Sequence, residues 1–332
     1  MALDGKRVRT VFVHSSNEMY GADKMLIRVL KALHHRTAQL VVLPSDVHPG
    51  ASSLEERLAN EGVACSVMGV PIIRRAYMTP GGLLPLARRA VHAWQFLRDS
   101  RPEVVWCATS AALLMAPIAR LAGVRTVILH NQEIWGRRER LVLGVLAIWA
   151  TSIVAISDAA RESLPTRLQG RTVVIENGTE GIGRQSLPAE AEAPIFVVAS
   201  RWNAWKGHRT LLAAWKIAGE PGHLLIAGGP PPVGEGVDVR ALVSEMGLDG
   251  TVTIVGELDD LGSLIRRAHF VVVPSDAPEP FGLIAIEALS QARPVIASSG
   301  GGLGRVITDG VDGLLFSNAS ADELAQCLGS AT

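Results

Sequence analysis

The sequence predicts an α/β fold built from two doubly wound parallel sheets facing a cleft, and three observations carry that prediction. Short β-branched runs alternate with helix-length amphipathic segments along the whole chain, the pattern of parallel strands covered by helices. The chain has 332 residues, 48% of them hydrophobic, which at roughly 100–200 residues per domain gives two cores. Residues 178–194 hold Gly, Pro, Ser and alternating Ala and Glu without apolar periodicity, the composition of a linker. The expected organisation is a first domain over 1–177, a linker over 178–194 and a second domain over 195–332.

In the first half, strands are expected near Val8–Val13, Leu40–Leu43, Ala64–Met68, Val104–Trp106, Thr126–Leu129, Ile153–Ile156 and Val173–Ile175. In the second they fall near Ile195–Ala199, Leu224–Ala227, Val252–Val255, Phe270–Val273 and Val295–Ala297. Helices fill the intervals. The longest apolar stretch, Leu141 to Ile156, is shorter than the ~18 residues that favour a membrane span. Thr151 and Ser152 interrupt it, so it reads as a buried helix running into a buried strand. Val11-Phe12-Val13 is too brief for the apolar core of a signal peptide.

Composition removes several classes. The apolar content excludes disorder. Cys65, Cys107 and Cys327 are odd in number and widely spaced, which excludes a disulfide scaffold and a cysteine metal site and suits a reducing cytoplasm. The net charge of zero is unevenly spread: residues 1–177 hold 22 Lys and Arg against 14 Asp and Glu, and residues 178–332 hold 10 against 18. A first half at +8 attracts anionic partners. No nucleic-acid partner is expected.

In open α/β sheets ligands sit at the carboxyl ends of the strands, so the loops leaving strands are where chemistry belongs. Ser200 to His208 leaves an apolar strand and opens a helix, setting Arg201 and Lys206 beside a helix N-terminus, where free N–H groups and the dipole also favour anions. A pyrophosphate would fit there, and a solvated basic turn fits the residues equally. Pro274 to Ala288 places Glu279 in a proline-stiffened loop and Glu287 among Leu283, Ile284, Ile286 and Leu289. A carboxylate on an apolar helix needs a partner, which sugar or ribose hydroxyls or a protein donor could supply.

Glu279 and Glu287, seven residues between them, with Phe281-Gly282 after the first and Ala288 after the second, resemble the signature of retaining glycosyltransferases of the GT-B fold, in the large family four (glycosyl transferases group 1). Arg201 and Lys206-Gly207, Val154–Ser157, Glu176–Gly178, Pro274-Ser275, Arg293–Ala297 with Gly300–Gly302, and Asp309–Leu315 extend the resemblance over essentially the whole chain. The resemblance implies two Rossmann-like domains, the first binding an acceptor and the second a nucleotide-diphosphate sugar. It implies Arg201 and Lys206 on the diphosphate, Glu287 on the ribose, Glu279 on the donor sugar, and N–H groups around Phe281, Gly282 and Leu283 near phosphate or sugar. His130, after the strand Thr126–Leu129, matches a histidine that reaches the sugar near the reacting carbon, and Gly21 a glycine loop near phosphate and acceptor.

This chain departs from the pattern at Arg305, where relatives usually carry glutamate. It also stops short of the helices that usually return to the first domain. No Gly-x-x-x-x-Gly-Lys-Ser/Thr, strand-anchored Gly-x-Gly-x-x-Gly or Asp-x-Asp motif is present, so neither nucleotide hydrolysis nor dinucleotide oxidation is favoured. The leaving diphosphate is then expected to be neutralised by protein cations, with no metal or other cofactor. The expected activity is metal-independent, retaining sugar transfer to a lipid-linked or polysaccharide acceptor. The chain would be cytoplasmic, with its basic helix Leu83–Arg98, through Arg88 and Arg89, at an anionic membrane surface. A nucleotide-sugar epimerase and a non-catalytic nucleotide-sugar-binding subunit stand as the alternatives.

Overall fold

A computed structural model describes residues 2–3, 6–7, 9–47, 53–74, 77, 79–181, 193–231, 235–258 and 260–331. Most of the expected linker lies outside the described residues, as do Val8 and Arg75. The chain divides into two compact units, Met1–Glu176 and Asn177–Thr332.

The first unit opens with a small antiparallel pair, β1 (Ala2–Leu3) and β2 (Lys6–Arg7). Its main sheet comprises β3 (Thr10–Val13), β4 (Gln39–Pro44), β5 (Cys65–Met68), β6 (Val104–Cys107), β7 (Thr126–Asn131), β8 (Ser152–Ala155) and β9 (Thr172–Val174). The order is β5-β4-β3-β6-β7-β8-β9, with every pairing parallel. Side chains on a strand alternate between faces. Phe12, Val41 and Leu43 therefore pack with Leu26, Ile27 and Leu30 of the helix Gly21–Leu33 on one face. Val11, Val13, Leu40 and Val42 meet Ala93, Leu97, Met115, Leu143 and Ala147 on the other. His130 is the fifth residue of β7 rather than the residue after it.

The second unit holds β10 (Ile195–Ala199), β11 (His223–Ala227), β12 (Val252–Gly256), β13 (Phe270–Val273), β14 (Val295–Ser298) and β15 (Gly313–Phe316), in the order β12-β11-β10-β13-β14-β15, again all parallel. Phe196 and Val198 face Trp215, Leu211 and Leu212. Val197 faces Ile265, Ala285 and Ala288 on the other side. The edge strand β15 was not among the expected strands, because Gly-Leu-Leu-Phe is short and carries no β-branched residue.

One expectation is overturned. The helix Arg137–Ala147 is not buried all round: Leu143, Gly144 and Ala147 are buried, while Leu141, Val142 and Val145 are exposed, as are Ile148 and Trp149 beyond it. A continuous apolar run cannot be buried all round when only one stripe of its helix meets a sheet.

Strand order reverses between β3 and β6 and between β10 and β13, so a crevice opens at the carboxyl edge of each sheet. Two glycines hold the second crevice together. Gly207, at φ +73°, would put a Cβ 1.7 Å from the Pro274 carbonyl oxygen, and Gly301, at φ +78°, one 2.1 Å from the Glu279 carbonyl oxygen. Replacing either with alanine combines a left-handed backbone penalty with a backbone clash. Each substitution is expected to cost at least about 2 kcal/mol of stability in urea titrations followed by tryptophan fluorescence. An unchanged midpoint for both variants would contradict this packing.

Candidate active site

The second unit brings the expected residues to one place because its two crossover loops meet at the switch point. From the end of β10 the chain runs through Ser200, Arg201 and Trp202 into a 3-10 turn, Ala204–Lys206, and then the helix His208–Ile217. The Trp202 N–H donates to the Gly229 carbonyl at 2.9 Å, and its carbonyl accepts from the Val237 N–H at 2.8 Å, which pins the loop to the neighbouring crossover. From β13 the chain runs through Pro274 and Ser275 to Glu279. Glu279 donates its N–H to the Gly300 carbonyl at 3.2 Å, and its carbonyl accepts from the Gly302 N–H at 2.7 Å.

The two loops are joined by an ion pair. Lys206 Nζ lies 2.9 Å from Glu279 Oε1 and 2.8 Å from Oε2, and 4.1 Å from the Trp205 ring centroid. Ser275 Oγ donates to Glu279 Oε2 at 2.8 Å, and Asn318 Nδ2 donates to the Ser275 carbonyl at 2.8 Å. Both side chains are largely shielded, at 19% and 11% exposure, so the pair works at reduced dielectric and holds its geometry. Glu279, which the resemblance puts on the donor sugar, is in this structure the acceptor for Lys206 and Ser275.

Arg201 lies in the same loop. Burial pushes its guanidinium down to about 10 while the Glu257 charge, on the loop after β12, opposes the shift, so it stays positive at neutral pH. His208 is fully buried, with Nε2 3.4 Å from Ser200 Oγ. Burial, then the charge on Lys206, push its imidazole down to about 4. Lys206 and Arg201 are thus the positive side chains of this loop, and His208 is neutral at pH 7.

Gly282, at φ +95°, starts the helix Leu283–Leu289 that carries Glu287. Leu283 and Glu287 are half-buried, while Ala285 and Ala288 face the core. Phe281 is buried at 5% exposure, so it can meet a ligand through its backbone alone. Arg305 is exposed on the helix Leu303–Val306.

The first unit assembles a second group of residues at its own switch point. Gly21 opens the helix Gly21–Leu33, whose third residue, Asp23, accepts from Ser16 Oγ through Oδ1 and from the Tyr20 N–H at 3.0 Å through Oδ2. Asp23 Oδ1 also lies 2.8 Å from His14 Nε2, with both side chains buried. His14 Nδ1 has no hydrogen-bond partner among the described residues, a loss of about 1–3 kcal/mol that calls for an explanation. His130 is 5% exposed and meets the Trp106 ring edge-on at 5.8 Å. Burial, then the charge of His14, push it down to about 4. His14 and Asp23 were not singled out in the sequence. Their signal was slight: a histidine closing an apolar strand, and an aspartate two residues past Gly21.

Residues 193–331 match the family described as glycosyl transferases group 1. A D-inositol 3-phosphate glycosyltransferase of Saccharomonospora viridis is 30% identical over 220 residues, 61% of this chain and 50% of that protein. One from Mycobacterium tuberculosis is 37% identical over 162 residues, 47% of this chain and 33% of that protein. The chain spans half or less of the length of these relatives. Among solved structures, Anabaena Alr3699/HepE in complex with UDP-glucose superposes with a TM-score of 0.80 at 22% identity, covering 97% of this chain and 89% of that one. The lipopolysaccharide outer core galactosyltransferase WaaB superposes at 0.71 and 18% identity, covering 97% and 90%. With its two parallel sheets and these superpositions the chain has the GT-B fold, and its residues 193–331 match glycosyl transferases group 1.

Proposed function

We propose that the chain transfers a sugar from a nucleotide-diphosphate sugar, with retention of configuration and without a divalent metal ion, to a lipid-linked or cell-surface polysaccharide acceptor. The observation that carries this reading is the Lys206–Glu279–Ser275 constellation at the switch point of the second sheet, with Arg201 in the same loop. The relatives' names, and the UDP and UDP-glucose complexes of HepE, support a donor of that class.

In this mechanism Lys206 and Arg201 take up the charge of the diphosphate, and Lys206 turns from the Glu279 carboxylate toward phosphate as the donor enters. The Glu279 oxygens so released accept from sugar hydroxyls, and Glu287 accepts from the ribose. N–H groups around Gly282 and Leu283 approach phosphate or sugar. The bond from the anomeric carbon to the phosphate oxygen breaks through an oxocarbenium-like state. The acceptor oxygen bonds on the same face, and its proton passes to the departing phosphate oxygen. His130, neutral, and the Gly21 loop serve the sugar and acceptor side.

The acceptor reading draws on the first unit. The helix Pro80–Ser100 exposes Leu83, Leu84 and Val91 together with Arg88. Arg89 does not join them: it turns to Asp46 at 3.1 Å and stacks over Tyr77 at 5.1 Å. Among the described residues no helix is long and apolar enough to cross a membrane. An interfacial contact would use the exposed leucines and Arg88.

Lys206→Ala and Arg201→Ala are each expected to lower turnover about a hundred- to a thousandfold at saturating donor and acceptor, because charge on the leaving group grows in the transition state. Near-normal turnover in either would remove its phosphate role. Glu287→Ala should chiefly weaken nucleoside diphosphate binding, read by calorimetry, since ribose contacts act equally in ground and transition states. Sedimentation with anionic vesicles should fall on Arg88→Glu and on Leu83→Ser with Leu84→Ser. Absence of binding by the wild type at low salt would sink the membrane part. Protein that binds a nucleoside diphosphate yet never transfers or hydrolyses any donor sugar would favour a non-catalytic role.

A further inference from the structure

The loop from β10 to the helix His208–Ile217 carries two tryptophans with opposite fates. Trp202 is buried in the core of the second unit, whereas Trp205, three residues on, is 38% exposed. An indole left at the surface forgoes much of the apolar burial a core position would give it, so its place calls for another reason. Its backbone is fixed from two sides: the Asn203 carbonyl accepts from the Lys206 N–H at 2.9 Å, closing the turn Ala204–Lys206, and the Trp205 carbonyl accepts from the Asp276 N–H at 2.9 Å. The segment bearing the ring is thus tied to the loop that carries Glu279. In this frame Lys206 Nζ lies 4.1 Å from the Trp205 ring centroid while it meets both Glu279 oxygens, at 2.9 and 2.8 Å. Consecutive residues of a helical turn do not face each other, so sequence adjacency alone does not produce this contact. The lysine side chain folds back over the ring as it reaches the carboxylate.

We propose that Trp205 is a positioning residue for Lys206: its ring face is the support on which the ammonium exchanges the Glu279 carboxylate for the diphosphate of the donor. An aromatic face attracts a cation through its quadrupole and asks for none of its N–H groups in a fixed direction. The ammonium therefore stays held while its N–H groups pass from one oxygen ligand to another. A carboxylate in the ring's place would compete with phosphate for the same charge. An aliphatic side chain there would leave the lysine stem free to explore its many rotamers, a freedom that binding would then have to remove. The site is shielded without being sealed, since 19% of the Lys206 side chain is exposed, so an incoming oxygen ligand can reach it. The exchange rests on the phosphate role given to Lys206 above; the contact of ring and ammonium does not.

The contact is tested by NMR on the full-length chain. There are five lysines, Lys6, Lys24, Lys31, Lys206 and Lys216, so carbon-13 labelling of lysine gives a small set of ε-methylene signals, and that of Lys206 is the one missing in Lys206→Met. It is expected upfield of the others, because protons above an aromatic face are shielded by the ring current. In Trp205→Leu it should rejoin them, and in Trp205→Phe it should keep part of its displacement. An undisplaced Lys206 signal in the wild type overturns the proposal, whether or not either variant folds. The exchange is tested by calorimetry with uridine, adenosine and guanosine diphosphates. For whichever binds, Trp205→Leu should weaken affinity about fivefold to tenfold and Trp205→Phe by less, the scale of a partly shielded cation–π contact. Added to Lys206→Met, the same Trp205→Leu change should have no further effect. Equal weakening with and without Lys206 would make the indole a purely structural group and overturns the proposal. A displaced Lys206 signal in a chain that binds none of the three would instead overturn the donor reading, and the exchange with it, while leaving the contact of ring and ammonium in place.

Discussion

A carboxylate taken out of water must be met by donors, and in the second unit that requirement falls on Glu279. Its two oxygens accept from Lys206 and Ser275, its backbone is clasped between Gly300 and Gly302, and Asn318 holds the Ser275 carbonyl from the far side. These contacts draw together the loops after β10, β13, β14 and β15. The glycines follow from the same requirement, since backbone can approach backbone this closely only where no Cβ intervenes. Glu279 is also the group with most to exchange: a buried ion pair retains its partners at a desolvation cost, and a ligand bringing phosphate to Lys206 and hydroxyls to Glu279 would replace the anion facing Lys206 with another anion and the donor facing Glu279 with other, neutral donors.

Much of this was legible in the sequence because it depends on short-range pattern. Twelve residues of β-branched and aromatic character in Ile195–Ala199, Val252–Val255 and Phe270–Val273, bounded by turns, identify buried parallel strands without knowledge of their neighbours. The cations Arg201 and Lys206 were legible because they directly follow such a strand, and Glu279 and Glu287 because their spacing is distinctive. What spacing cannot supply is who meets whom. That Lys206 closes onto Glu279, 73 positions away, depends on β10 and β13 being neighbours, and the sheet order is set by long-range packing.

The remaining misreadings share a cause. The apolar run from Leu141 looked buried because hydrophobicity was summed along the chain, yet a helix offers its sheet one stripe, and here Leu143 and Ala147 occupy it. Arg89 was expected beside Arg88 at an anionic membrane surface, yet its position in the helix turns it toward Asp46 and Tyr77, where its aliphatic stem is covered and its head is paired. His14 was passed over as the residue ending a strand. Its significance comes from its contact with Asp23, which belongs to tertiary structure.

The two buried histidines with strongly lowered proton affinity link the sites to stability. His130 and His208 titrate near 4 in the folded chain against about 6.5 when unfolded, so the unfolded chain binds more protons between those values. Stability contributed by keeping them neutral is therefore whole above about pH 6.5, falls as the pH drops through that value, and is fully lost below about 4. At pH 5 the loss for each is on the order of 2 kcal/mol. Urea midpoints measured at pH 7.5 and 5 should consequently diverge for the wild type, and His208→Gln, which removes one of the two groups, should narrow the gap. An equal gap in that variant would mean that His208 takes up its proton as readily folded as unfolded. Arg201, at about 10, keeps its charge across this range, so acid weakens the scaffold before it changes the charge of that guanidinium.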